Sequence, residues 1–533
     1  MTNSIAEVVN SDVVFITGSN TTAGHPVIGA RIRQAKQRGA KIIVAEPRVI
    51  DLSGDADVFL QILPGTNVAL YNAMMNVIIS EGLQNSAYID ERTEKYEDLV
   101  AAVSSCTPEK VAEICGVSAD DIRAAARLYA KAEKASIFYA MGVTQHTTGT
   151  EGVMSLSNLS LLCGNIGIES GGINPLRGQN NVQGACDMGG LPGDLTGYQK
   201  VANPEALAKF EKAWGVKLSD KPGLTLCDMI HKAGHGDIKL LYIMGENPMV
   251  SDPDLNHVEE ALKNTEFLVV QDIFLTETAA LADVVLPAAS FAEKEGTFSN
   301  TERRVQRVRK AIDPIGNSKA DWVILMELLN RLGIDKKYAN PSEIMEEIAS
   351  LTPSYGGITY ERLDQLGSLQ WPCPTTDHPG TVYLHKASIA RGKGLFKAIE
   401  YKASNELPDK DYPYVLTTGR VLYHYHTRTM TGKVDGLNAL SPESFIEINP
   451  ATAKNLGIKD GTKVSVSSRR GKLTTVAKLT RTIKEGVLFM PFHFTEGAAN
   501  ILTNPALDPI SKIPEYKVCA VNIAPFDRVS DYT

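Results

Sequence analysis

Arg177 opens the run Arg177-Gly-Gln-Asn-Asn-Val-Gln-Gly184. Its guanidinium is planar and permanently charged, a fork that meets a carboxylate through two parallel hydrogen bonds. Gln179, Asn180 and Gln183 add amide donors and acceptors, and Gly178 and Gly184 let backbone approach a flat ligand closely. A structural arginine in a turn-rich connection would need no more than loop carbonyls. The amides and glycines packed around this one favour binding. A second polar group lies late in the chain, where Thr418-Gly-Arg420 leads to His424-Tyr-His426 and then to Arg428-Thr-Met-Thr-Gly432. The His-x-His pair invites a zinc reading, which fails because no third ligand stands nearby at metal spacing. His25 and His146 read as satisfied structural histidines.

A pattern of glycine turns and acids occurs twice. Gly18-Ser-Asn20 follows an apolar run, and Glu46, with Arg48 beside it, ends the next strand 28 residues after Gly18. Gly245-Glu246-Asn247 also follows an apolar run, and Asp272 ends its next strand 27 residues after Gly245. Asp57 stands 11 residues beyond Glu46, as Asp283 stands 11 beyond Asp272, and both halves run on to Leu-Pro, at Leu63-Pro64 and Leu286-Pro287. Neither half has the GxGxxG fingerprint, so NAD fits poorly. Each has a glycine turn at a strand's carboxyl end, where open α/β sheets bind ligands, and an acid able to meet a ribose or purine edge. One such unit arises readily by chance. Four matched landmarks predict two related nucleotide sites, which a cofactor with two nucleotide tails would need.

The elements that must position these residues follow from periodicity. Asp12–Gly18, Lys41–Ala45, Asp57–Leu63 and Ser136–Ala140 read as buried strands, with helices over 25–38, 67–79 and, as a pair, 107–132. Ser118 and Asp121 stand at capping-box spacing for the second helix of that pair. Strand–helix alternation resumes at Lys239–Met244 and Phe267–Gln271, and helices dominate from 320 to 350. After Pro408 come short alternating strands at Tyr414–Thr418, Lys463–Ser467, Leu473–Ala477 and Gly486–Met490, the pattern of a compact β-barrel. The expected class is α/β, with two Rossmann-like doubly wound units over 1–177 and 178–404 and a β-barrel-like domain over 405–533.

At 533 residues the chain exceeds one core. A net charge of −8 argues against a nucleic-acid partner or a polybasic membrane anchor. No apolar run approaches the ~20 residues of a membrane span, and no signal-peptide pattern is present. Seven scattered cysteines without any Cys-x-x-Cys fit reduced thiols in the cytoplasm, and offer no ligand set for an iron–sulfur cluster.

Several stretches are specific. Ala140-Met-Gly142-Val-Thr-Gln145, Leu162-Cys-Gly-Asn-Ile-Gly167, Asn174–Gly189, Tyr242–Pro248, Val270–Phe274, Ala282–Pro287, Gln370-Trp-Pro-Cys373 and Pro514-Glu-Tyr516-Lys517 stand in family order. Together they resemble the molybdopterin oxidoreductase superfamily, and the Arg177 loop resembles its formate dehydrogenase branch, along nearly the whole chain. The resemblance implies a double-psi type of terminal barrel and bis-molybdopterin guanine dinucleotide carrying Mo or W. Formate would be the substrate, with Arg177 as its clamp. Gly142, Gln145, Gln179, Asn180 and Gln183 would then meet pterin or phosphate. Gly18, Asn20, Gly245, Glu246 and Asn247 would line the phosphate approaches. Glu46 and Asp272 would accept hydrogen bonds from the two guanosines, with Arg48 as a further cofactor contact. Arg420, His424, His426 and Arg428 would close over the dinucleotides, pyrophosphate suiting the arginines, with Tyr516 and Lys517 as a late contact. It also implies an electron-accepting partner subunit of the iron–sulfur, flavin or hydrogenase type. The alternatives are another superfamily reductase and a non-catalytic fragment that holds pterin dinucleotides.

The family's 4Fe–4S domain, its metal-ligating cysteine or selenocysteine and the neighbouring histidine have no counterpart in this sequence, so no metal ligand is assigned to this chain and catalysis is expected to need that region. The expectation is a start at an internal Met downstream of a selenocysteine codon. Sequence upstream of Met1 checks it. An in-frame UGA followed by a His codon, below a cysteine-rich reading frame, is the expected result, and a true stop beneath unrelated sequence would overturn it.

Overall fold

The computed structural model describes residues 1–526. Five parallel strands form the first sheet: β1 (Val13–Thr17), β2 (Lys41–Ala45), β3 (Val58–Leu60), β4 (Ala135–Tyr139) and β5 (Ile173–Pro175), in the order β3-β2-β1-β4-β5. β1 and β4 are buried at every residue, as a sheet covered on both faces requires. The chain winds outward from β1 through β2 to β3, then returns to the other side of β1 as β4. That reversal makes the carboxyl ends of β1 and β4 a topological switch point, the usual crevice for a ligand.

Helices cover both faces. α1 (Pro26–Gln37) starts with Pro at its first turn and buries Ile28, Ile32 and Ala35. α2 (Asn67–Ser80) is buried nearly all round and forms the centre of the opposite layer. α3 (Pro108–Cys115) and α4 (Ala119–Ala130) pack against it, and the expected cap at Ser118 is present, its Oγ accepting from Asp121 N at 3.0 Å. α5 (Gly149–Leu162) follows β4.

By its internal contacts the described chain falls into two compact units: Met1–Leu176 with Val250–Asn256 and Tyr383 onward, and Arg177–Met249 with His257–Val382. Residues 383–404, which the sequence division assigns to the middle segment, pack into the first unit. Phe396 joins the core around α2, and Asn72 Nδ2 donates to Ile399 O at 2.8 Å.

Arg177–Val382 begins with α6 (Val182–Asp187) and contains a parallel sheet of β6 (Leu240–Met244), β7 (Phe267–Asp272) and β8 (Val284–Pro287), in the order β8-β7-β6. An antiparallel sheet of β9 (Gly296–Ser299), β10 (Arg304–Val308) and β11 (Ser368–Gln370) has its own core around Val305, Tyr355 and Leu369.

Strands β12 (Tyr414–Gly419), β13 (Phe445–Ile448), β14 (Lys463–Ser467), β15 (Lys472–Leu479), β16 (Val487–Pro491) and β17 (Cys519–Pro525) close a barrel in the order β12-β16-β13-β15-β14-β17. The pairs β12–β16 and β13–β15 are parallel and the rest antiparallel, so the expected barrel is present with mixed rather than purely alternating strand directions. Carboxylates fasten the barrel's last loop to the first turn of α5 and the turn before it. Thr150 N and Oγ1 each donate to Asp508 at 2.8 Å, and Thr147 N and Oγ1 donate to Glu515 Oε1 at 3.3 and 3.1 Å.

Candidate functional site

In the first unit the switch point is built by two glycines in contact. Gly18 directly follows β1 with φ of +56°, and Gly142 N donates to Gly18 O at 3.0 Å. A Cβ on Gly18 would lie 2.6 Å from the Gly142 carbonyl carbon, and one on Gly142 would lie 2.6 Å from Gly18 Cα. No other residue type allows this approach. Asn20 and Gln145 stand on the turns beyond, each half-buried.

Around this point lies a group of charges with little water and few partners. Glu46 follows β2, and its Oε2 is shielded from solvent with no hydrogen-bond partner. Burial pushes its carboxyl up to about 7, against the pull of Arg48, Lys517 and the Ser19 backbone. Lys517 donates to Thr418 O at 2.6 Å, and burial beside Arg420 brings its ammonium down to about 7. Among the described residues, Arg420 has no hydrogen bond to the protein. Its guanidinium lies 5.9 Å from the Phe492 ring centre, and burial lowers its pKa. Burial and Arg420 together hold His25 and His426 near 4, so both are neutral at pH 7.

Other expected residues are committed to the protein. Arg48 grips Glu447 of the barrel through Nε and Nη2, at 2.9 Å for the closest pair, with its guanidinium 3.5 Å above the Phe489 ring centre. His424 uses both ring nitrogens, on Ser441 O at 2.7 Å and Thr431 Oγ1 at 3.2 Å. Arg428, at φ of +63°, donates to Asn438 Oδ1 at 2.7 Å and sits 4.9 Å from the Phe494 ring centre. Tyr516 ties the loop down through its OH to Ser251 O at 3.0 Å.

Sequence reasoning missed His493. It is fully buried, donates from Nδ1 to His426 O, and accepts from Val421 N at Nε2 at 3.0 Å. It thereby holds both arms of the Arg420–His426 loop as a neutral ring, its pKa brought by burial to about 4. The signal was Phe492-His493-Phe494 directly after an apolar strand, a histidine with an aromatic on each side. His424 and His493 rings lie 6.2 Å apart, yet no group of three His, Cys, Asp or Glu among the described residues could hold a metal ion. His146, read as satisfied, bonds Gly142 O through Nε2 at 2.9 Å but leaves Nδ1 buried without a partner.

The second unit repeats the landmarks. Gly245, at φ of +64°, donates from N to Gln271 O at 2.9 Å, as Gly18 N donates to Ala45 O at 3.2 Å. Asp283 Oδ2 accepts from Leu268 N at 2.7 Å, as Asp57 Oδ2 accepts from Ile42 N at 2.9 Å. Asp57 and Asp283 therefore seal the start of the second strand of each repeat, and Glu46 and Asp272 stand at its end. Asp272 is half-buried, accepts from Ile273 N at 2.6 Å, and is raised by burial, as is Glu246. Asn247 braces the segment after β7, accepting from Thr278 Oγ1 at 2.7 Å and donating to Glu277.

Arg177 also lies in this unit. Its Nε donates to Gln183 Oε1 at 3.3 Å, while its terminal nitrogens have no protein hydrogen bond among the described residues. Gln179 is half-buried and Asn180 exposed. Gly184 does not serve a ligand's approach, because the space a Cβ would need holds Asn181 Oδ1 at 2.1 Å. Asn181 in turn caps the loop by accepting from Ser299 N at 2.9 Å.

Two family models match. The first, molybdopterin oxidoreductase, covers residues 1–331, and the second, molydopterin dinucleotide binding domain, covers residues 414–520. The chain belongs to the molybdopterin oxidoreductase family. It is 54% identical over 527 residues to the F420-dependent formate dehydrogenase subunit alpha of Methanocaldococcus jannaschii, spanning 98% of this chain and 78% of that one. Formate dehydrogenase H of Escherichia coli is 44% identical over 531 residues, with 98% and 74% covered. Acetylene hydratase from Pelobacter acetylenicus superimposes with a TM-score of 0.77 at 20% identity, over 98% of this chain and 81% of that one, a likeness of fold.

The residues fit the family's cofactor. A guanine edge offers paired N–H donors to a carboxylate such as Glu46, and a pyrophosphate supplies the negative charge that Arg420 and Lys517 lack. Lys517→Met is therefore expected to raise the thermal midpoint of the ligand-free chain while weakening GDP binding roughly tenfold. Because the folded pKa of Lys517 lies below its unfolded value, its cost grows as pH falls from about 10 toward 7, so the stabilisation should be larger at pH 6 than at pH 9. Calorimetry and GDP titration at both pH values check this; a lowered midpoint with unchanged binding would contradict it.

Proposed function

We propose that this chain, within an assembled enzyme that supplies the metal-ligating region, takes part in the reversible oxidation of formate to carbon dioxide, with two molybdopterin guanine dinucleotides held one by each repeat and Arg177 as the substrate clamp. The family and the formate dehydrogenase alpha subunits that the chain resembles support the reaction. The observation that carries the residue assignment is the state of Arg177, anchored by Nε and open at its terminal edge. The terminal edge of a guanidinium matches the spacing of two carboxylate oxygens. Formate is the smallest carboxylate, so this grip fixes where its single C–H bond points. Loss of that hydrogen releases carbon dioxide, one proton and two electrons. The molybdenum or tungsten centre, when bound, supplies the two-electron acceptor.

In the first unit, Glu46 reads guanine and Arg420 and Lys517 hold the pyrophosphate, with the neutral His25 and His426 rings as hydrogen-bonding neighbours. Asp272 and Glu246 serve the second dinucleotide. Arg48, His424 and Arg428 shape this wall through the protein contacts they already make. Electrons pass to a partner subunit of the iron–sulfur, flavin or hydrogenase type. No helix among the described residues is long and apolar enough to cross a membrane, and all seven cysteines are free, which supports a place in the reducing cytoplasm.

Arg177→Lys in the assembled enzyme keeps the charge and loses the fork. We expect kcat/KM for formate to fall at least about a hundredfold, with metal and guanine content unchanged. A near-normal kcat/KM would remove Arg177 from this role.

A further inference from the structure

Asp187 is fully buried at the end of α6, and its carboxylate takes four hydrogen bonds. Oδ1 accepts from Gln183 Nε2 at 2.8 Å and Tyr198 OH at 2.9 Å, while Oδ2 accepts from Tyr355 OH at 2.6 Å and Trp371 Nε1 at 2.7 Å. That fills the capacity of a carboxylate, the condition for burying one without a counter-charge. Burial and the Asp187 charge push both phenols up, so each stays protonated and donates. Two of the four donors are held from behind. Tyr355 bonds Ser299 Oγ at 3.1 Å. Trp371 is fixed by the buried Arg303, which donates to the carbonyls of Trp371, Thr381 and Val382 and lies 5.6 Å from the indole centre.

The network has one outlet. Gln183 Nε2 is spent on Asp187 and on Tyr198 OH at 2.9 Å, so Gln183 Oε1 must face the other way, toward Arg177 Nε. The flipped amide would set N–H against N–H at Arg177 and oxygen against oxygen at Asp187. An ordinary glutamine amide is free to flip, and this one is not.

We infer that Asp187 is a positioning residue for the substrate site: through the Gln183 amide it pins the Nε edge of Arg177 and so presents the terminal edge of the guanidinium to the carboxylate. The inference rests on the clamp reading of Arg177. It also gives the Gln370-Trp-Pro-Cys373 stretch a task, since Trp371 supplies one of the four donors.

The test compares Asp187→Asn, Arg177→Lys and the double variant in the assembled enzyme. An amide at position 187 cannot accept from all four donors, so either Gln183 turns or Trp371 loses its partner. For Asp187→Asn the expected result is a roughly tenfold rise in KM for formate with a smaller change in kcat. In the Arg177→Lys background no further rise is expected, because lysine has no Nε edge to pin. A second readout needs no turnover. In chain labelled with 15N-arginine, the Arg177 Nε–H resonance, assigned by its loss in Arg177→Lys, should shift alike in Asp187→Asn and Gln183→Leu. An unchanged KM with only a lowered thermal midpoint, or a loss that adds fully to that of Arg177→Lys, would reduce Asp187 to a structural residue and overturn the proposal. A near-normal Arg177→Lys would instead overturn the clamp reading itself. If Asp187→Asn does not accumulate, Tyr198→Phe is read the same way, with a smaller KM rise and the same resonance shift expected.

Discussion

Taking charge out of water costs several kcal/mol per ion unless a partner compensates, and the first unit is arranged around that cost. Lys517 lies between Glu46 and Arg420, with His25 and His426 also facing Arg420, and all but the arginine adapt by giving up charge: the lysine falls to about 7, the histidines to about 4, and the glutamate rises to about 7. Arg420 cannot neutralise itself, since a guanidinium keeps its proton throughout the physiological range. A cluster that unfavourable persists because the fold over-determines it. The Gly18–Gly142 contact sets the floor, His493 locks the loop that carries Arg420, and Asp508 and Glu515 fasten the barrel's last loop beneath it. The electrostatics of the site and the rigidity of its frame are therefore one feature: without the frame, the like charges would separate.

The Arg177 loop uses the opposite strategy. There the buried charge is Asp187, and it is satisfied completely within the protein. Complete satisfaction makes a polar network stiff, and stiffness at Gln183 becomes direction at Arg177. The first unit keeps polar groups unpartnered where a ligand would meet them. The second spends every partner so that one guanidinium edge stays open.

Much of this was legible from residue types and spacing. The buried strands were readable as short apolar runs, and the duplicated Gly–acid–acid–Leu-Pro spacing returned as duplicated hydrogen bonds at Gly18 and Gly245 and at Asp57 and Asp283. The motifs around Arg177 identified the family before any geometry. What stayed hidden was set by long-range contacts. Spacing gave no means to show that Arg48 would be taken by Glu447, 399 residues away, or that Asn181 would fill the space beside Gly184. His493 was overlooked because its importance comes from the two loop atoms it bonds, which are distant in sequence. The mixed strand directions of the barrel escaped for the same reason, since alternation reveals a strand but not its neighbour.

The proposed function gives each of the two repeats one guanine dinucleotide. Counting guanine nucleotide released by acid from the metal-loaded enzyme, against its molybdenum or tungsten content, tests this most directly. Two per metal are expected, falling toward one when Glu46 is replaced by Ala while the Asp272 side is intact. One per metal in the unaltered enzyme, or a ratio unmoved by Glu46→Ala, would contradict it.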